Sequence, residues 1–121
     1  MEERAYGLTK RHGMEELGLN GYIWGDKIDE PLNFAKLRHH ANKWVSDEEL
    51  NNEMSIKIYV TGLTAATLAV AQALVMADFT MFRFMHWNRD TNSYEEQWFE
   101  VPPKRDFMYG VEYKPEQSEE E

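Results

Sequence analysis

The sequence predicts an α+β domain in which N-terminal helices pack on a small mixed sheet, its core elements running β-α-β-β-β. Three observations carry that expectation. SIKIYV alternates Ile56, Ile58 and Val60 with Lys57 and Tyr59, the period of a half-buried strand. LTAATLAVAQALVM, two residues after it, is apolar on nearly every face a helix would present. FTMFRFMHW and SYEEQWFEV are two β-rich runs on either side of NRDTN, whose Asn, Asp and Thr favour a short turn.

From the N-terminus, residues 1–54 read as the helical and irregular part of a single domain spanning 1–113, with residues 55–113 as its β-α-β-β-β core. GLNGYIWGDKIDEP is a glycine-rich connection with room for a short strand at Tyr22 to Trp24. PLNFAKLRHHANKWV opens on a proline, which a first helical turn tolerates, and sets Phe34, Leu37, Ala41, Trp44 and Val45 on one face. Ser46 followed by Glu49 forms a capping box, so a second short helix is expected from SDEEL. After the strand, TGLT turns the chain and Thr64 is the expected cap of a helix through about Ala77. The β-rich pair follows, with Trp87 and Trp98 placed to pair across it. Two prolines then break the ladder, and DFMYGVEY reads as a last strand. Residues 114–121, KPEQSEEE, hold no apolar side chain and are expected to form a disordered acidic tail.

A chain of 121 residues with 42% hydrophobic and 13% aromatic residues fills one core. Cysteine is absent, which removes disulfides, a thiol nucleophile and cysteine-ligated zinc, and fits a cytoplasmic setting. The charged start MEERAYGLTKRHG lacks the apolar core of a secretion signal, so none is expected. The longest apolar run contains a glutamine and falls short of the roughly 20 residues a spanning helix requires, so no membrane association is expected. A net charge of −9 repels phosphate backbones and disfavours general nucleic-acid binding. A nucleic-acid mimic is equally disfavoured, because 13 Lys and Arg are interspersed among 22 Asp and Glu.

Candidate ligand contacts gather at VTGLTAAT. The first N–H groups of a helix are unpaired and carry the positive end of its dipole, a setting that accepts a phosphate. Gly62 permits close backbone approach there, and Thr61 and Thr64 offer hydroxyls. His86 and Arg89, at the end of one β-rich run and in the turn after it, are the further candidate ligand residues. The pattern is neither a P-loop nor a dinucleotide fingerprint. It is loosely similar to the first strand and helix of Rossmann-like nucleotide sensors, including those that bind cyclic oligonucleotides in CRISPR and related defence systems. That resemblance implies a sensor, sponge or ring-nuclease-like protein with a defence or anti-defence role.

Candidate partner contacts are the basic helical face Lys36, His39, His40 and Lys43, together with Trp87 and Trp98. The adjacent histidines diverge by about 100° on a helix, so no metal site is expected. Arg11-His12-Gly13 repeats a triplet of histidine phosphatases, but AYGLTK before it does not read as the buried strand those enzymes place there. The expected function is therefore that of a small acidic cytoplasmic binding protein. It acts as a homo-oligomer on a protein partner in a regulatory or inhibitory role, without cofactor or catalysis. The alternative is binding of a phosphorylated small ligand, a nucleotide or cyclic oligonucleotide, at the strand-TGLT-helix corner.

Overall fold

A computed structural model describes residues 1–102. The expected strand DFMYGVEY and the tail 114–121 lie outside the described residues. Five strands, β1 (Glu3–Gly7), β2 (Gly21–Tyr22), β3 (Ser55–Tyr59), β4 (Met81–Asn88) and β5 (Ser93–Glu100), form one sheet in the order β2-β1-β3-β4-β5. The first four strands in that order are parallel, and β5 returns antiparallel to β4. Among the described residues there are two α-helices, α1 (Phe34–Asp47) between β2 and β3 and α2 (Thr64–Met76) between β3 and β4, and a 3-10 helix, Met14–Leu17, between β1 and β2. The α+β class with a mixed sheet is as expected, and so are the strand at SIKIYV, the helix after TGLT and the β4–β5 hairpin.

The chain does not begin with helices. Its first element is β1, which pairs with β3 through the register Arg4↔Ile56 and Tyr6↔Ile58. Glu3 and Arg4 mask this strand in the sequence, but Tyr6 and Leu8 are fully buried and give it its apolar face. The strand expected at Tyr22–Trp24 is β2, which runs Gly21–Tyr22 and shares only Tyr22 with that span. Ile23 and Trp24 still donate hydrogen bonds to the carbonyls of Gly7 and Leu8.

The second helix expected from Ser46 is not formed, because Ser46 lies inside α1. Glu49 instead takes a left-handed φ of 54°. Its N–H donates to Ser46 O, and the Leu50 N–H donates to Val45 O. This pair of bonds is a Schellman closure, and it carries Leu50 into the core. Helix α2 ends in the same way, with Asp78 at φ 69° and the buried Phe79 donating to Leu74 O. The start of α1 is set by Asn33, whose side chain accepts from the Lys36 N–H at 3.2 Å, and not by Pro31. Thr64 is likewise not a cap. It is the first residue of α2, after Leu63, and no side chain caps that end.

The core lies between the helices and one face of the sheet. Tyr6, Ile56, Ile58, Phe82 and Phe84 project from the strands, and Leu37, Ala41, Trp44, Val70 and Leu74 meet them from the helices. Tyr6 meets Trp44 edge to face at 5.1 Å. Phe34, expected on the buried face of α1, is 62% exposed. The opposite face of the sheet carries no α-helix among the described residues, only the short 3-10 helix Met14–Leu17 against its Gly7 end. There Arg83 opposes Trp98, and Trp87 opposes Tyr94, so the two tryptophans do not pair with each other as expected.

Candidate functional site

Adjacent strands β1 and β3 send their outgoing connections in opposite directions: β1 leads to β2 on one side and β3 leads through α2 to β4 on the other. Such a divergence opens a crevice beyond the carboxyl ends of parallel strands, where open sheets of this kind hold their ligands. Here the two loops that leave the crevice are Leu8–Gly13 and Val60–Leu63. They meet side chain to side chain, with Thr9 Oγ1 3.4 Å from Thr61 Oγ1. Thr9 is 1% exposed, a buried polar residue in an otherwise hydrophobic set among the described residues.

A cavity of about 670 Å³ opens at this point, within the roughly 300–1,000 Å³ common for small-molecule sites. The β1–β2 connection supplies one wall with Arg11, His12 and Glu16, and its 3-10 turn Met14–Leu17 tucks Met14 against the sheet. Val60 and Thr61 form the floor. The hairpin supplies the other wall through Trp87, Tyr94, Asn92 and Ser93. Gly7 makes the tuck possible, because a Cβ on it would stand 2.9 Å from both Met14 Cε and Tyr22 Cδ1. On the hairpin side, Tyr94 packs edge-on against Tyr59 at 4.8 Å and against Trp87 at 5.1 Å. Burial beside Tyr59 raises the Tyr94 phenol above its ordinary pKa, so it stays a neutral hydroxyl at the cavity wall.

Arg11 lines the cavity, and among the described residues it makes no salt bridge. Glu15, just outside the cavity, is held below the ordinary carboxylate range, first by backbone hydrogen bonds and then by Lys10 and His12. Among the described residues no three His, Cys, Asp or Glu stand together to hold a metal ion.

Of the ligand residues expected from the sequence, Thr61 lines the cavity and the other four do not. Gly62 sits beside it with φ +83° and open space where a Cβ would go. Thr64 is exposed on the first turn of α2. His86 bonds to Gln97 Oε1 at 2.7 Å across the hairpin, and Arg89 is exposed in the turn. The candidate partner residues on α1 are engaged within the fold, apart from the exposed His39. Lys36 pairs with Glu30 at 3.3 Å and Lys43 with Asp47 at 2.7 Å. His40 stacks on Trp24 at 4.9 Å and bonds to Ile23 O at 2.7 Å. The Asn33 and Lys36 hydrogen bonds also hold the Glu30 carboxyl below its ordinary range.

The cavity residues Arg11, His12, Asn92, Ser93 and Tyr94 were not among the expected contacts. The signal that could have found the first two is the glycine after LTKRH, which marks a loop at the end of a strand, provided that AYGL is read as one.

In comparison with known proteins, no family model, curated protein or solved structure matches this chain.

Proposed function

We propose that the domain binds a small phosphate-bearing ligand in the cavity at the carboxyl ends of β1 and β3. The observation that carries this reading is the convergence of the Arg11–His12 loop and Thr61 on one cavity of about 670 Å³ at the topological switch point. Arg11 offers paired N–H donors of a geometry suited to phosphate, and the Thr61 hydroxyl adds a neutral donor. Glu16 on the rim accepts hydrogen bonds from hydroxyls and opposes highly charged ligands. The reading is one of recognition: the cavity presents hydrogen-bond donors and aromatic surface, and among the described residues no hydroxyl in its lining is hydrogen-bonded to His12.

The test is thermal unfolding with phosphorylated compounds at low and high salt. A ligand that binds only the folded state stabilises it by about 2.7 kcal/mol at a concentration one hundred times Kd. Arg11→Gln removes the gain, whereas Arg89→Gln, in the turn, leaves it. No stabilisation by any phosphorylated compound at millimolar concentration overturns the reading.

A second reading, contact with another protein chain, has its own support on the helical face. Phe34 and Leu68 are 62% and 65% exposed and border one groove between α1 and α2, with Val75 and Met76 also exposed. Helix α2 carries no charged side chain in a protein of net charge −9, so two copies can approach there without repulsion. A homo-oligomer formed this way dissociates on dilution and on Leu68→Glu substitution, as sedimentation velocity would read.

A further inference from the structure

We infer that the ligand carries a planar aromatic ring beside its phosphate, as a nucleoside monophosphate does, and that the β4–β5 hairpin recognises the ring. This rests on the reading that the cavity binds a phosphate-bearing ligand.

The two walls of the cavity differ in chemistry. The wall from the β1–β2 connection carries Arg11, His12 and Glu16, and the hairpin wall carries Trp87 and Tyr94. Trp87 is 49% exposed, although an indole is among the most favourable side chains to bury. It is not loose on the surface, because Tyr94 buttresses it edge-on and is itself held by Tyr59. The exposed part of the indole is therefore a fixed aromatic surface bordering the cavity, of the kind on which bases of any identity stack. Asn92, on the same wall, supplies an amide with both donor and acceptor. Its backbone is left-handed, with φ 53°, which turns the chain back into Ser93 at the mouth. A ring on Trp87 and a phosphate at Arg11 occupy opposite sides of one cavity, with the sugar hydroxyls between them beside Glu16 and Ser93. A bare sugar phosphate leaves the aromatic wall unused.

The experiment titrates the purified protein with adenosine 5′-monophosphate, uridine 5′-monophosphate, ribose 5-phosphate, inorganic phosphate and adenosine, following calorimetry and tryptophan fluorescence. The expected result is that both nucleotides bind at least ten-fold more tightly than ribose 5-phosphate, the difference a base gains by stacking. Binding quenches part of the tryptophan emission, and Trp87→Phe removes that quench while retaining a ring. Trp87→Ala, at a half-exposed position that does not threaten the fold, weakens nucleotide binding about ten-fold and leaves ribose 5-phosphate unchanged. Equal affinities for nucleotides and ribose 5-phosphate overturn the ring inference while the phosphate site stands. Nucleotide binding that is indifferent to Trp87→Ala also overturns it. Failure of every phosphorylated compound overturns the underlying reading itself.

Discussion

Thr9 Oγ1 and Thr61 Oγ1 lie 3.4 Å apart, although 52 positions separate them in the chain. The contact ties the loop after β1 to the loop after β3 at the floor of the cavity. A hydrogen bond of this length belongs at the weak end of the roughly 0.5–1.5 kcal/mol range. Thr9→Val and Thr61→Val should therefore show a coupling of about 0.5 kcal/mol in a double-mutant cycle of urea unfolding. Strictly additive variants would mean that the two loops are positioned independently.

Backbone conformation separates two further substitutions. Gly62 has φ +83° and open space where a methyl group would stand, so Gly62→Ala should cost about 1 kcal/mol from the left-handed backbone alone. Glu49 occupies the same kind of conformation at the end of α1, where glycine is favoured, so Glu49→Gly should stabilise by about 0.5–1 kcal/mol. Chemical denaturation of the pair should give shifts of opposite sign.

Tyr6 gives a pH dependence. Burial raises its phenol above the ordinary tyrosine range, and the Glu48 carboxylate adds to that by accepting its hydrogen bond at 2.8 Å, while Arg4 acts in the opposite sense. A raised folded-state pKa contributes stability that is complete below the ordinary value and is lost as pH rises through the folded one. Wild-type stability should fall in alkali above that range, and Tyr6→Phe should flatten the fall. At neutral pH the same variant should cost about 1 kcal/mol for the lost hydrogen bond. An unchanged alkaline profile in Tyr6→Phe would remove Tyr6 as its source.

Ile58 and Leu68 contrast core with surface. Ile58 is fully buried between Tyr6 and Phe84 in register, so Ile58→Ala should cost about 2–5 kcal/mol. Leu68→Ala should stay within about 0.5 kcal/mol in dilute solution. A larger effect of Leu68→Ala that grows with protein concentration would place this leucine in an interface between copies.

Local periodicity was enough to read β3, α2, β4 and β5. Ile56 and Ile58 alternate with polar neighbours, and the β4–β5 hairpin has its turn chemistry between two long β-rich runs. Helix α1 was legible for the same reason, through Leu37, Ala41 and Trp44. Its end was not. Ser46 and Glu49 satisfy a capping box, yet burying Leu50 draws the chain into a left-handed turn, and that gain belongs to the core and not to the local pattern.

The sequence by itself determined an α+β domain with a helix between parallel-capable strands, because side-chain period and turn residues act over a few positions. Tertiary structure alone decided that the N-terminal ERAYG is a strand inside the sheet, since its stability comes from pairing with β3, whose residues Ser55 to Tyr59 are remote in the chain. It also decided the site. Thr61, the first residue of TGLT, belongs with Val60 to the floor of a cavity whose walls come from Arg11–His12 and from Trp87–Tyr94, segments that meet only because β1, β3 and β4 lie side by side. No spacing in the chain encodes that meeting, because the contacts that hold it are non-local.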